Sequence, residues 1–199
     1  MITRKEMTRM LLKEGLLSCL EHHSFESVTV TSLCKASGIT RSTFYLHYSN
    51  IMEIVDDLVD DAISYSRPGM VDNNNLQIIA KALSDTSDSI SLREAYDSIF
   101  DRLPLCQRII RHKKYLPLFL DEQISEYVLQ RIIRCEKDRQ GLVMAEALGI
   151  SFDVGVSVFV FLVHGLYAIN KEYKWTQSDE WLEAQKVIFE LVYRGLQSK

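Results

Sequence analysis

Between Thr29 and Tyr48 the chain reads TVTSLCKASGITRSTFYLHY, and this stretch limits the possible folds more than any other. Val30, Leu33 and Cys34 recur at the three-and-four spacing that lines one side of a helix. The spacing predicts a helix over Val30–Ser37, with Thr29 or Thr31 accepting from its free N–H groups. Gly38 follows at once, where a chain leaving a helix often needs positive φ and glycine takes it without steric cost. Ile39 supplies an apolar anchor, and Thr40 is a natural N-cap for a second helix over Arg41–His47. That helix is barely two turns long and marginal alone, so packing must hold it. Phe44 turns inward, Tyr48 could face either way, and Arg41, Ser42, Thr43, Tyr45 and His47 are left as polar groups. Two short helices joined this way form a helix-turn-helix, whose second helix suits the DNA major groove.

The rest of the chain offers nothing to pair as strands. Its 199 residues include only 8 Gly and 3 Pro, too few for strand-and-turn architecture or long linkers. Hydrophobic content of 47% with 25% charged residues is ordinary for a globular protein. The expected class is therefore all-α. Net charge is −4, yet residues 1–48 carry six Lys and Arg against four Glu, a local +2 that leaves −6 on the remainder. A basic end on an acidic body fits a small nucleic-acid-binding module. Cys19, Cys34, Cys106 and Cys135 include no C-x-x-C pair, so free thiols are expected rather than a metal site or disulfides. The N-terminus lacks a signal-peptide core, and a cytoplasmic location is expected.

A first helix is predicted from Thr3 to His22, with Gly15 in its middle costing about 1 kcal/mol relative to alanine unless another helix approaches closely there. Phe25 and Val28 would plug the gap before the helix-turn-helix. After a cap at Ser49 or Asn50, Ile51, Ile54, Val55, Leu58, Val59, Ala62 and Ile63 follow in helical phase. Asp56, Asp57, Asp60 and Asp61 occupy the opposite side, read as a solvated face because no glycine-bearing metal loop accompanies them. Arg67-Pro68-Gly69 opens a loop, and the expected domains are 1–66 and 67–199. Helices are predicted over Leu76–Leu83, Ser91–Leu103 and Leu105–Lys113. Another is predicted from near Pro117 to before Gly141. Val154–Ile169 is the most hydrophobic stretch and is interrupted by Ser157 and His164, so a buried or subunit-facing helix is expected rather than a membrane span. Gly155 and Gly165 would allow close helix approach. A last helix follows a cap at Thr176 or Ser178. The helices at about 150–173 and 178–197, in two copies, would make an intersubunit four-helix bundle.

The run G-I-T-R-S-T-F-Y-L-H-Y, with Gly38, Ile39, Thr40, Thr43, Phe44, Tyr45 and Tyr48 at matching positions, resembles the DNA-binding domain of the tetracycline-repressor (TetR) family. The likeness covers the first third of the chain. It implies a three-helix DNA-binding domain followed by a helical effector-binding and dimerisation domain. It also implies phosphate contacts from Thr29 and Thr31, a phosphate-proximal cap at Thr40, and base or phosphate contacts from Arg41, Ser42 and Thr43. Tyr45 and His47 would meet the backbone, Tyr45 also a thymine methyl, and Tyr48 closes the motif as a further contact. Two positions depart from the pattern. Ile51 stands where the family usually places a phosphate-binding lysine, and Ser24 where it places a glycine. Lys35, Arg4 or Lys5 would then compensate. On residue chemistry alone, Arg41 is the one long cationic donor on the second helix and so the best reader of guanine.

These observations imply a homodimeric transcriptional regulator, a repressor released by a small molecule, on a pseudo-palindromic double-stranded DNA operator. Tyr96, Phe100, Tyr127, Phe159, His164 and Tyr167 are the candidate effector-lining side chains. No Ser/His/Asp constellation, glycine-rich phosphate loop or metal spacing is present, so no catalytic role, metal or cofactor is expected. The alternative is a helical adaptor that keeps the fold without operator binding.

Overall fold

Thr3 starts the first helix. Its hydroxyl accepts from Glu6 N at 3.2 Å while the Glu6 carboxylate accepts from Thr3 N at 2.7 Å, a reciprocal cap. The computed structural model describes residues 3–66, 75–84, 91–103, 107–108 and 113–197. Among these residues there are helices and turns and no strand, as the composition requires. The expected loop at Arg67-Pro68-Gly69 with its domain boundary, Cys106 and most of the helix expected over Leu105–Lys113 lie outside the described residues.

The chain divides into two compact units, Met1–Ser64 with His112–Ile132, and Tyr65–Arg111 with Ile133–Lys199. The first unit thus takes in a segment distant in sequence from the helix-turn-helix. It contains α1 (Arg4–Leu20), α2 (Val30–Ser37), α3 (Arg41–His47), α4 (Met52–Ser66, to its last turn), α7 (Leu116–Leu120) and the first turns of α8 (Ser125–Leu148). Leu12, Leu16, Leu33, Phe44, Ile54, Leu58, Leu118 and Val128 are fully buried and form its core. Gly15 has the close neighbour its cost demands. A Cβ built there would overlap Ser37 Oγ and stand 3.3 Å from Ser37 Cα, so α2 ends directly against α1.

Two expectations fail in this unit. The acidic side of α4 is not a solvated face. Asp57 pairs with Arg9 and Asp61 with Lys13, both on α1. Asp56 takes the Tyr127 hydroxyl at 2.6 Å and the Arg131 guanidinium at 3.2 Å, and Asp60 takes Arg131 at 2.9 Å. Partly exposed pairs of this kind are each worth little; their alternation along α4 sets how α1 and α8 lie against it. The single helix expected from Pro117 to Gly141 is also two helices. The Asp121 side chain accepts from Gln123 N at 2.9 Å and Ile124 N at 3.2 Å, offering the backbone a turn in place of helical bonds. Its other oxygen accepts from Phe25 N at 2.7 Å, fastening the turn that follows α1.

The second unit holds α5 (Asn75–Ser84), α6 (Leu92–Ser98), the rest of α8, α9 (Phe152–Glu172) and α10 (Asp179–Gln197). The helix expected over Ser91–Leu103 stops at Ser98, and a 3-10 turn over Phe100–Arg102 completes it. α8 runs through Gly141 instead of ending before it, because α9 lies against that point. A Cβ on Gly155 would overlap the Gly141 carbonyl oxygen and stand 2.9 Å from Ala145 N. Gly155 therefore serves a contact within one chain, and Gly165 has nothing within 4 Å of an added Cβ. α10 is capped by Ser178, whose hydroxyl accepts from Trp181 N at 3.2 Å, and it packs on α5 and α6. Trp181 is fully buried, edge-on to Tyr96 at 5.2 Å, and donates its indole N–H to Asn170 at 3.0 Å.

Candidate nucleic-acid interface

α2 begins at a threonine whose side chain is already committed. Thr29 Oγ1 accepts from Ser32 N at 3.1 Å and Ser32 Oγ from Thr29 N at 2.9 Å. Thr29, not Thr31, is thus the cap, which frees Thr31 to accept from Arg41 Nη1 at 3.4 Å. The turn between the helices needs its glycine, since Gly38 sits at φ 65° and ψ 24°, in the left-handed region. Ile39 N closes the turn on Cys34 O at 3.0 Å. Thr40 Oγ1 then accepts from Thr43 N at 3.2 Å and lies 3.0 Å from the Ser42 hydroxyl.

The other end of α3 is held from below. Phe44 is fully buried, and Tyr48 is only 3% exposed. The Tyr48 hydroxyl donates to Asp57 at 2.6 Å, and Arg9 Nε donates to the same carboxylate oxygen at 3.0 Å. The Arg9 guanidinium also lies 4.8 Å from the centre of the Tyr48 ring. Burial and then the Asp57 hydrogen bond push the Tyr48 hydroxyl well above its ordinary pKa, while the same carboxylate raises that of Arg9. Tyr48, a candidate contact that could face either way, points into the core. It is instead an anchor, because a ring closing a two-turn helix is worth more against the core than in solvent.

Between these fixings the exposed surface is short. Thr29, Thr31, Lys35, Thr40, Arg41, Ser42 and Tyr45 are exposed, whereas Thr43 and His47 are half-buried. His47 Nδ1 is closed off from solvent without a hydrogen-bond partner among the described residues. No Asp or Glu occurs from 29 to 48, and Lys35, Arg41 and the hydroxyls make the surface one of donors and positive charge. Leu46, absent from the sequence-derived candidates, is 81% exposed on the same side of α3. Counting positions around the helix from buried Phe44 would have placed it outward, but its apolar type masks it. Burial raises the pKa of Cys34 below this surface and of Cys19 on α1, which disfavours their thiolates.

The six candidate effector residues divide between the two units. Tyr127 belongs to the first unit, bonded to Asp56, and the other five belong to the second. Tyr96 is buried and donates to Gln107 Oε1 at 3.1 Å; Gln107 Nε2 donates to Gln185 Oε1 at 3.0 Å. Tyr167 packs edge-on against Trp175 at 5.2 Å and Phe159 is buried. His164 is half-buried, with Nδ1 2.9 Å from Val160 O in its own helix, and Phe100 is half-buried on the 3-10 turn. Among the described residues no group of three or more His, Cys, Asp or Glu side chains is placed to hold a metal ion.

No family model matches the chain, and no curated protein matches it. Among solved structures it is similar to the TetR family repressor AlkX from Dietzia sp. strain DQ12-45-1b, a protein implicated in biodegradation of n-alkanes. The identity is 14%, the match covers 95% of each chain, and the TM-score is 0.40.

Proposed function

We propose that the chain is a DNA-binding transcriptional regulator of the tetracycline-repressor type, a homodimeric repressor released by a small molecule. The observation that carries this reading is the outer face of α3. It is free of carboxylates, carries Arg41 with hydroxyls around it, and is held rigid by Thr40 at one end and Tyr48 on Asp57 at the other. A helix with these properties positions donors at a fixed spacing, which phosphate contacts and base-edge recognition both require. Residues 1–66 would be the DNA-binding part and residues 67–199 the effector-binding and dimerisation part. Thr29, Thr31, Lys35, Thr40 and His47 would meet phosphates, and Arg41, Ser42, Thr43 and Tyr45 the groove.

Dimerisation is supported by an apolar surface on the last two helices. Val154 and Phe161 on α9 are 49% and 74% exposed, and Val187 and Leu191 on α10 are 52% and 66% exposed. α9 is also, by length and composition, apolar enough to cross a membrane. A symmetric pairing would bury those side chains in a protein of the cytoplasm, and would set two α3 helices on a pseudo-palindromic site. The effector would bind in the second unit, whose interior is the more polar. Gln107, Arg108, Glu136, Gln140, Asn170 and Gln185 are buried there. The effector acts only to the extent that it favours one dimer geometry over another.

Gel-shift titration against the DNA upstream of the protein's own gene tests the reading. Wild-type binding is expected to fall steeply with salt through counterion release. Replacing Arg41 and Tyr45 together by alanine is expected to abolish it. Retention undiminished in that double variant would refute the assignment. A chain that holds no DNA even at low salt would instead be the adaptor, the reading that Ile51 in place of lysine favours.

A further inference from the structure

At roughly 100° per residue, Arg41, Tyr45, Ser42 and Leu46 follow one another around about 140° of α3. Three of them are polar or amphipathic, and the fourth is the most exposed large apolar side chain among the described residues, 81% open. Tyr45, on the other side of Ser42, is 54% exposed. Leu46 lies outside the core, and the α3 positions on either side of it around the helix are Ser42 and Thr43, on a face without a carboxylate. A partner for this face must therefore be anionic overall and yet offer one small apolar group among hydrogen-bonding edges. The thymine C5-methyl is the apolar group that B-DNA presents in the major groove, set beside acceptor atoms.

We propose that Leu46 is a specificity-determining residue that selects thymine by packing on its C5-methyl, while Ser42 on the adjoining column and Arg41 at the far edge of the face take polar edges or phosphate. This rests on the reading of α3 as the DNA-contacting helix and adds the base it prefers. Leu46 donates and accepts no hydrogen bond, so its contribution is removal of apolar surface from water. One buried methyl-sized group is worth ~0.8 kcal/mol, or about a fourfold change in affinity.

The test uses the full-length chain and a duplex selected in vitro from a pool of random 30-base-pair DNA. Each thymine of the selected duplex is replaced in turn by deoxyuridine, which deletes the methyl and leaves every hydrogen-bonding atom. Expected is one thymine per half-site whose loss of methyl weakens binding about fourfold. In Leu46→Ala, whose helix propensity is if anything improved, the same replacement is expected to make no further difference. Binding insensitive to every deoxyuridine, or a penalty equally large in Leu46→Ala, would overturn the proposal while leaving the chain a DNA-binding protein. A pool from which no duplex is enriched would overturn the DNA-binding reading, and this proposal with it.

Discussion

Gly15→Ala sets two effects of opposite sign against each other. In a helix interior, alanine is favoured over glycine by about 1 kcal/mol, so propensity alone predicts a more stable protein. The structure predicts the reverse. A Cβ at position 15 would overlap Ser37 Oγ and stand 3.1 Å from Ser37 Cβ and 3.3 Å from its Cα. Rotating the serine clears the first clash but gives up its 2.8 Å hydrogen bond to Leu33 O, worth about 0.5–1.5 kcal/mol. The remaining contacts force α1 and α2 apart by a few tenths of an ångström, an overpacking cost of about 1–3 kcal/mol. The net is a destabilisation of about 2 kcal/mol, or roughly 4–8 °C in melting temperature for a chain of this size. Thermal melts of Gly15→Ala, Ser37→Ala and the double variant give the coupling between the two sites. Ser37→Ala removes the overlapping oxygen, so alanine at position 15 is expected to cost less than half as much in that background. A rise in melting temperature for Gly15→Ala, or no coupling with Ser37, would refute the reasoning. On the proposed reading of α3, DNA binding is expected to weaken alongside, because α2 and its turn aim α3.

Gly155→Ala is expected to be worse, at about 3 kcal/mol, since its Cβ would meet the Gly141 carbonyl oxygen and Ala145 N, backbone atoms that cannot rotate away; denaturant titration of the variant measures it. In acid, the Glu6 and Glu94 carboxyls are held below their ordinary 4.5 chiefly by the backbone N–H groups of Thr3 and Ser91. A depressed folded-state pKa contributes stability above the unfolded value that is lost as pH falls through the folded one. The Glu6→Gln, Glu94→Gln variant is therefore expected to lose melting temperature less steeply than wild type between about pH 5 and about pH 3.

Much of the first unit was legible because its determinants are local. Val30, Leu33 and Cys34, then Gly38 and Thr40, specify two helices and their turn within the eighteen residues Val30–His47, and the observed bounds are those the spacing predicts. Caps, glycine conformation and apolar period all act over one to four positions, so the sequence by itself determined the two helices of the helix-turn-helix, their starts and the all-α class. What the sequence left open depends on contacts between residues far apart along the chain. Asp56, Asp57, Asp60 and Asp61 read as a face for water, since nothing nearby in the chain supplies cations; Arg9 and Lys13 lie 48 residues before their partners and Arg131 lies 71 after Asp60. Asp121, which broke a predicted helix in two, acts partly through Phe25, 96 residues away. Tyr48 is inward because that same Asp57 waits beneath it, and Leu46 is outward because Phe44 took the core. On a two-turn helix the apolar type of Leu46 outweighs the position that places it outward, and Tyr48 at the helix end has no periodicity to declare its side; the tertiary packing assigned Tyr48 to the core and left Leu46 on the surface.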